Sequence, residues 1–198
     1  MTFRDRVLDR IRTSGPQVFL VDALSGREIT YSEFHEQACA AAAHLRERGV
    51  ARGDRVATVV PNCVELAAVY FGCLYSGATI VPVNPNLSTA EASYILANCR
   101  PKCTVATSSA RQKLASVLPD ALLLATSHDP VASSSEPALD LNRLPSSPAF
   151  SPLTESSDDD LALIVYTSGT TAKPKGLAHH IGRMVRNATA FADFPSGE

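Results

Sequence analysis

The sequence predicts an α/β fold, a mostly parallel sheet with helices on its faces. Strand-like apolar runs start at positions 55, 79, 102 and 121, and a segment with helical spacing or helix-capping signals follows each of the first three. The gaps between the runs have the length of β-α-β units, the connection that parallel strands require. Parallel strands put their carboxyl ends on one common edge, where such folds collect ligands. At 198 residues, 45% of them apolar, the chain is long enough to bury about 70% of its unfolded surface.

Each element has its own signal. Phe3, Val7, Leu8 and Ile11 fall on one face of a short helix over residues 3 to 12. The β-rich runs Gln17 to Asp22 and Arg27 to Thr30 flank Ser25-Gly26 and predict a hairpin. Thr30 and Glu33 form a capping-box pattern ahead of a stripe of Phe34, Ala38, Ala41, Ala42 and Leu45, and Gly49 stops that helix. Arg55 to Val60 is a strand. Asn62 with Glu65 is expected to cap the next helix, which ends near Gly77, and Thr79 to Val83 is the following strand. Ser88 with Glu91 caps a helix through Leu96. Lys102 to Ala106 is strand-like, Ser108 to Leu118 helical, and Ala121 to Ala125 a short strand. Five prolines between Ser127 and Asp160 predict a surface excursion, over about 127–157, with at most one short element.

Composition excludes several classes of function. A formal net charge of -2 with no basic stripe argues against a nucleic-acid partner. Five cysteines without a CxxC pair, behind an N-terminus lacking a secretion signal, read as reduced and mostly buried thiols of a cytoplasmic protein. Leu66 to Val83 has no formal charge over 18 residues, but Gly72, Gly77 and Pro82 make it helix, turn and strand rather than a membrane span.

Chemistry concentrates in residues 166–176, Tyr-Thr-Ser-Gly-Thr-Thr-Ala-Lys-Pro-Lys-Gly, between the aliphatic run Leu161 to Val165 and an apolar segment with helical spacing. A phosphate chain needs unobstructed backbone N–H groups, rotatable hydroxyls and a cation. Ser168, Gly169, Thr170 and Thr171 supply the first two, Lys173 and Lys175 the third. The Pro174-Lys175-Gly176 order is not a Walker A loop, and Ser168 lacks the flanking glycines of a nucleophile elbow. His179 and His180 read as polar residues in the first turn of the following helix, and no carboxylate stands at metal-ligand spacing from them.

The eleven-residue string resembles the signature loop of the AMP-forming acyl-adenylate superfamily, which includes acyl- and aryl-CoA ligases, peptide-synthetase adenylation domains and luciferases. Two further stretches are similar to family segments in the same order, Ile29-Thr30-Tyr31-Ser32-Glu33-Phe34 and the run from Leu74 to Pro85. The resemblance implies ATP-dependent activation of a small carboxylic acid to an acyl-adenylate, with transfer to coenzyme A. By the match, Thr167 to Thr171, Lys173, Lys175 and Gly176 grip the β- and γ-phosphates, and none of them is a proton-transfer catalyst. The Val-Pro-Val-Asn-Pro wording at 81–85 favours acyl-CoA ligases over amino-acid adenylation domains. The alternatives are an amino-acid or aryl-acid adenylation domain and a non-catalytic, truncated nucleotide-binding or interaction module.

Two positions depart from the family pattern. Ala172 stands where relatives carry glycine; at positive φ its Cβ costs on the order of 1 kcal/mol. Ile181 occupies the place of a histidine common among relatives. Relatives are about two to three times longer, so residues 1–198 are expected to be an incomplete part of the large N-terminal ATP-binding domain. The Mg2+ ligands, most of the acid pocket and the C-terminal domain are then expected outside them.

Overall fold

The computed structural model describes residues 3–129, 138–141, 157–167 and 173–192. Helix α1 (Phe3–Ser14) leads into an antiparallel hairpin of β1 (Val18–Val21) and β2 (Glu28–Thr30) and then into α2 (Tyr31–Glu47). The main sheet has seven strands in the order β7-β6-β5-β3-β4-β8-β9. These are β3 (Arg55–Val59), β4 (Thr79–Pro82), β5 (Cys103–Ala106), β6 (Leu122–Ala125), β7 (Ala138–Asp140), β8 (Leu161–Thr167) and β9 (Lys175–His180). Every pairing in it is parallel except β8 with β9. Helices α3 (Val64–Tyr75), α4 (Thr89–Cys99) and α5 (Ser108–Lys113) connect the strands, and α6 (Ile181–Ala192) follows β9.

Strand pleating sorts the core into two layers. Val56, Ile80 and Val105 face α2 and α3, whereas Ala57, Val59, Val81 and Ala106 face α4 and α5. Both faces of the central strands are covered, as parallel sheets require. The uncharged stretch from Leu66 to Val83 is indeed helix, turn and strand, and among the described residues no helix is long and apolar enough to cross a membrane. All five cysteines are free; Cys73 and Cys99 are buried and the other three half-buried.

Both predicted capping boxes form. Thr30 Oγ1 accepts from the Glu33 amide at 3.2 Å while Glu33 Oε2 accepts from the Thr30 amide at 2.8 Å, and Ser88 with Glu91 repeats the arrangement at α4. Thr30→Ala is expected to cost about 1 kcal/mol, lowering Tm by about 2–4 °C in a chain of this size. An unchanged melting curve would show that the box carries no net stability. Gly49 ends α2 and Gly77 ends α3 at φ of 75° and 70°, the left-handed region that a side chain resists.

The expectations for α3, α4, α5 and the segment after residue 174 need correction. The cap of α3 is Cys63, whose Sγ accepts from the Leu66 amide at 3.4 Å, not Asn62; Glu65 instead points into the protein, where Arg27 donates to it. Helix α4 continues past Leu96 to Cys99, and α5 is regular only to Lys113, with turns over 114–117 before Pro119, which disfavours helical backbone at Leu118. The segment after residue 174 does not enter a helix directly. Lys175–His180 pairs with the open side of β8 first, so His179 and His180 lie on a strand opposite Leu163 and Leu161. The described residues of the proline-rich excursion include one strand, β7, held parallel to β6 with Leu139 opposite Leu124; residues 130–137 and 142–156 lie outside the described residues.

Candidate functional site

The carboxyl ends of β3, β4, β5 and β8 share one edge of the sheet, and β8 delivers Thr167 there. The strand owes its place to apolar residues that pack on both sides. Leu163 joins the layer under α2 and α3, and Ile164 and Tyr166 join the layer under α4. Because β9 returns antiparallel, Thr167 stands directly opposite Lys175, and Tyr166 opposite Gly176. The strand ends therefore hold a hydroxyl and an ammonium at the mouth of a β-hairpin.

Directly opposed residues share a face. A Cβ on Gly176 would lie 3.1 Å from Ile164 Cγ2 and 3.2 Å from Tyr166 Cζ, so the glycine leaves room for the tyrosine ring. The Tyr166 hydroxyl donates to Asn98 Oδ1 on α4, and burial pushes its pKa up. That contact clamps the hairpin to α4. Alternation then turns Thr167 and Lys175 to the other face, where both side chains are exposed. Lys173 is held on the α4 side, its Nζ 5.9 Å from the Tyr94 ring centroid.

Of the predicted site residues, Thr167, Lys173, Lys175 and Gly176 border this mouth, Lys173 toward α4 and Thr167 and Lys175 on the opposite face; Ser168, Gly169, Thr170 and Thr171, with Ala172, lie outside the described residues. Exposed ammonium and hydroxyl groups are of the chemical type that a phosphate chain takes. The segment that follows the loop is a strand paired with β8 and not the start of a helix. The Glu91 amide at the start of α4 is already taken by Ser88. Among the described residues no group of three or more His, Cys, Asp and Glu could hold a metal ion.

The AMP-binding enzyme family matches residues 9–197. The chain belongs to that family. It is 34% identical over 151 residues to the long-chain-fatty-acid–CoA ligase FadD13 of Mycobacterium tuberculosis, covering 76% of this chain and 29% of that protein. Tyrocidine synthase 3 of Brevibacillus parabrevis is 32% identical over 163 residues, covering 82% of this chain and 2% of that one. Among solved structures, VinN in complex with L-aspartate superposes with a TM-score of 0.82 at 25% identity, covering 100% of this chain and 49% of VinN. The chain thus spans less than a third of the ligase and about half of VinN. Other relatives are 4-hydroxybutyrate–CoA ligase 2 of Metallosphaera sedula, surfactin synthase subunit 3 of Bacillus subtilis and feruloyl-CoA synthase of Amycolatopsis sp., each 30–31% identical.

Proposed function

We propose that residues 1–198 are part of the N-terminal ATP-binding domain of a carboxylate–CoA ligase, with 127–157 as a surface excursion. The observation that carries this reading is the Thr167–Lys175 pair at the carboxyl end of β8, flanking the family's hydroxyl- and glycine-rich string. ATP with Mg2+ supplies an electrophilic phosphorus and a pyrophosphate leaving group. Lys175, on the face away from α4, offsets charge on the β- and γ-phosphates, and the Thr167 hydroxyl donates beside it. Lys173, kept near the mouth by Tyr94, adds a second cation, and Gly176 admits the Tyr166 ring that fixes the hairpin. Ser168 to Thr171 complete the grip in this reading. These groups position and neutralise; none moves a proton. The acid is activated to an acyl-adenylate and passed to coenzyme A, in the cytosol by the free cysteines.

The test is acid-dependent exchange of labelled pyrophosphate into ATP, run on the protein with all the sequence its gene encodes. Exchange with alkyl or aryl carboxylates is expected, and none across a broad acid panel overturns the reading. Exchange confined to amino acids would favour the adenylation-domain alternative that the likeness to tyrocidine synthase 3 raises. Nucleotide binding without exchange would leave a binding module. Lys175→Ala removes one charge-assisted phosphate contact and is expected to cost roughly 1.5–3 kcal/mol in kcat/KM for ATP, or about 10- to 150-fold. An unchanged kcat/KM would show that Lys175 faces only solvent.

A further inference from the structure

A second concavity lies away from the hairpin mouth, on the outer side of the α2–α3 layer. Its volume is about 460 Å³, within the range of small-molecule sites. One wall is α1, the other is α6 through Val185, Ala188 and Thr189, and the floor is aromatic. Phe34 and Phe71 meet edge to face there with ring centroids 5.0 Å apart, and Phe71 continues to Tyr75 at 6.2 Å. Rings interlocked in this way form a stiff floor that does not collapse into the space above it. Tyr75 ends α3 just before the turn into β4, and α6 leaves the sheet where the Ile181 amide bonds Asp160 O, at the amino end of β8. Thr167 is at the other end of that strand.

The rim is charged on one side only. Arg6 and Arg10, one turn apart on α1, both line the opening, and no ion pair joins either to a carboxylate among the described residues. Their neighbour Arg12, by contrast, is spent on Asp9 at 2.8 Å. Arg10 holds its guanidinium 6.0 Å from the Tyr31 ring centroid, so its charge is kept over the mouth. An apolar slot with two guanidinium groups at its rim is complementary to a molecule with a hydrocarbon tail and an acidic head.

We propose that this groove binds one free amphipathic organic anion, its tail between α1 and α6 on the aromatic floor and its head between Arg6 and Arg10. The apolar space is a slot between two helical walls and not a flat face, which favours a dissolved monomer over a bilayer. The site does not depend on the ATP-binding reading of the hairpin.

Decanoate, below its micelle concentration, is the probe for calorimetric titration of the full chain. One-to-one binding is expected, at least tenfold tighter than decyltrimethylammonium. The exposed pair Arg6→Ala/Arg10→Ala should weaken decanoate tenfold or more without changing the melting curve. Ala188→Trp, which fills the slot from α6, should abolish binding, and Lys175→Ala should leave it unchanged. Equal affinity for the anion and the cation overturns the proposal, as does full decanoate binding by the double variant. Binding only to phosphatidylglycerol vesicles, with none to monomeric decanoate, also overturns it. Pyrophosphate exchange measured in parallel separates a failure here from a failure of the ligase reading.

Discussion

Gly72→Leu is expected to unfold the chain or leave it with a stability loss of about 3 kcal/mol or more, the upper end of the cost of overpacking. Gly72 is the point where α3 approaches α2 most closely. A Cβ there would stand 2.7 Å from the Ala41 Cβ, 2.9 Å from the Ala42 amide nitrogen and 3.0 Å from the Ala38 carbonyl oxygen. Two of those three atoms are backbone, so no rotamer change can make room. The whole of α2 would have to move. Ala38, Ala41 and Ala42 are fully buried, so moving them opens the layer that also holds Leu45 and Val69. Circular dichroism with thermal melting is the measurement, with Gly72→Ala as the graded control. If Gly72→Leu melts within about 2 °C of the parent, the α2–α3 contact is looser than the structure shows.

The same contact shows what a sequence can and cannot disclose. The alanine stripe on α2 was readable because helix spacing is local, as were the Thr30–Glu33 and Ser88–Glu91 boxes, each closed within four residues. Asn62-Cys63-Val64-Glu65 carries an equally good capping pattern, yet Glu65 turns inward because its partner, Arg27, is 38 residues away in the chain. A local pattern lost to a distant ion pair. Strand β9 was hidden for a related reason. Helical apolar spacing runs through the segment that follows the glycine-rich string, but the first six residues gain a full ladder by pairing with β8. β7 is three residues long and is recognisable only by what Leu139 packs against. At the candidate site, residue types announced Thr167, Lys173, Lys175 and Gly176. Their cross-strand register did not show, because it depends on where the chain turns back. The groove was invisible for the strongest reason, since α1 and α6 come from opposite ends of the chain.

Arg27→Ala is expected to cost about 3–5 kcal/mol, the range for stranding one member of a buried ion pair, or a Tm lower by about 6–20 °C. Glu65 is wholly buried, and its Oε1 accepts from the Arg27 guanidinium at 3.0 Å and from the Ser127 hydroxyl at 2.9 Å. Its other oxygen has no hydrogen-bond partner among the described residues. Three separate parts of the chain meet at this carboxylate: the β1–β2 turn, the start of α3 and the segment after β6. Asp22 makes a second link between the first and the third. It takes the Leu24 and Ser25 amides at 3.0 and 2.9 Å, and its Oδ2 lies 3.2 Å from His128 Nε2. The Ser25 amide is the main reason that the Asp22 carboxyl is held down to about 2. The order of effects follows from what each substitution leaves behind. Arg27→Ala leaves a carboxylate with 0% exposure and no cation beside it among the described residues, the Ser127 hydroxyl remaining, whereas Glu65→Ala leaves a guanidinium that is 34% exposed and can turn to water. Arg27→Ala should therefore be the more damaging of the two, and Glu65→Gln, which keeps the shape and an acceptor, milder than either. Chemical denaturation of the three variants tests this ranking. If Glu65→Ala proves costlier than Arg27→Ala, the packing of the glutamate stem, and not its charge, holds the β1–β2 hairpin to the sheet edge.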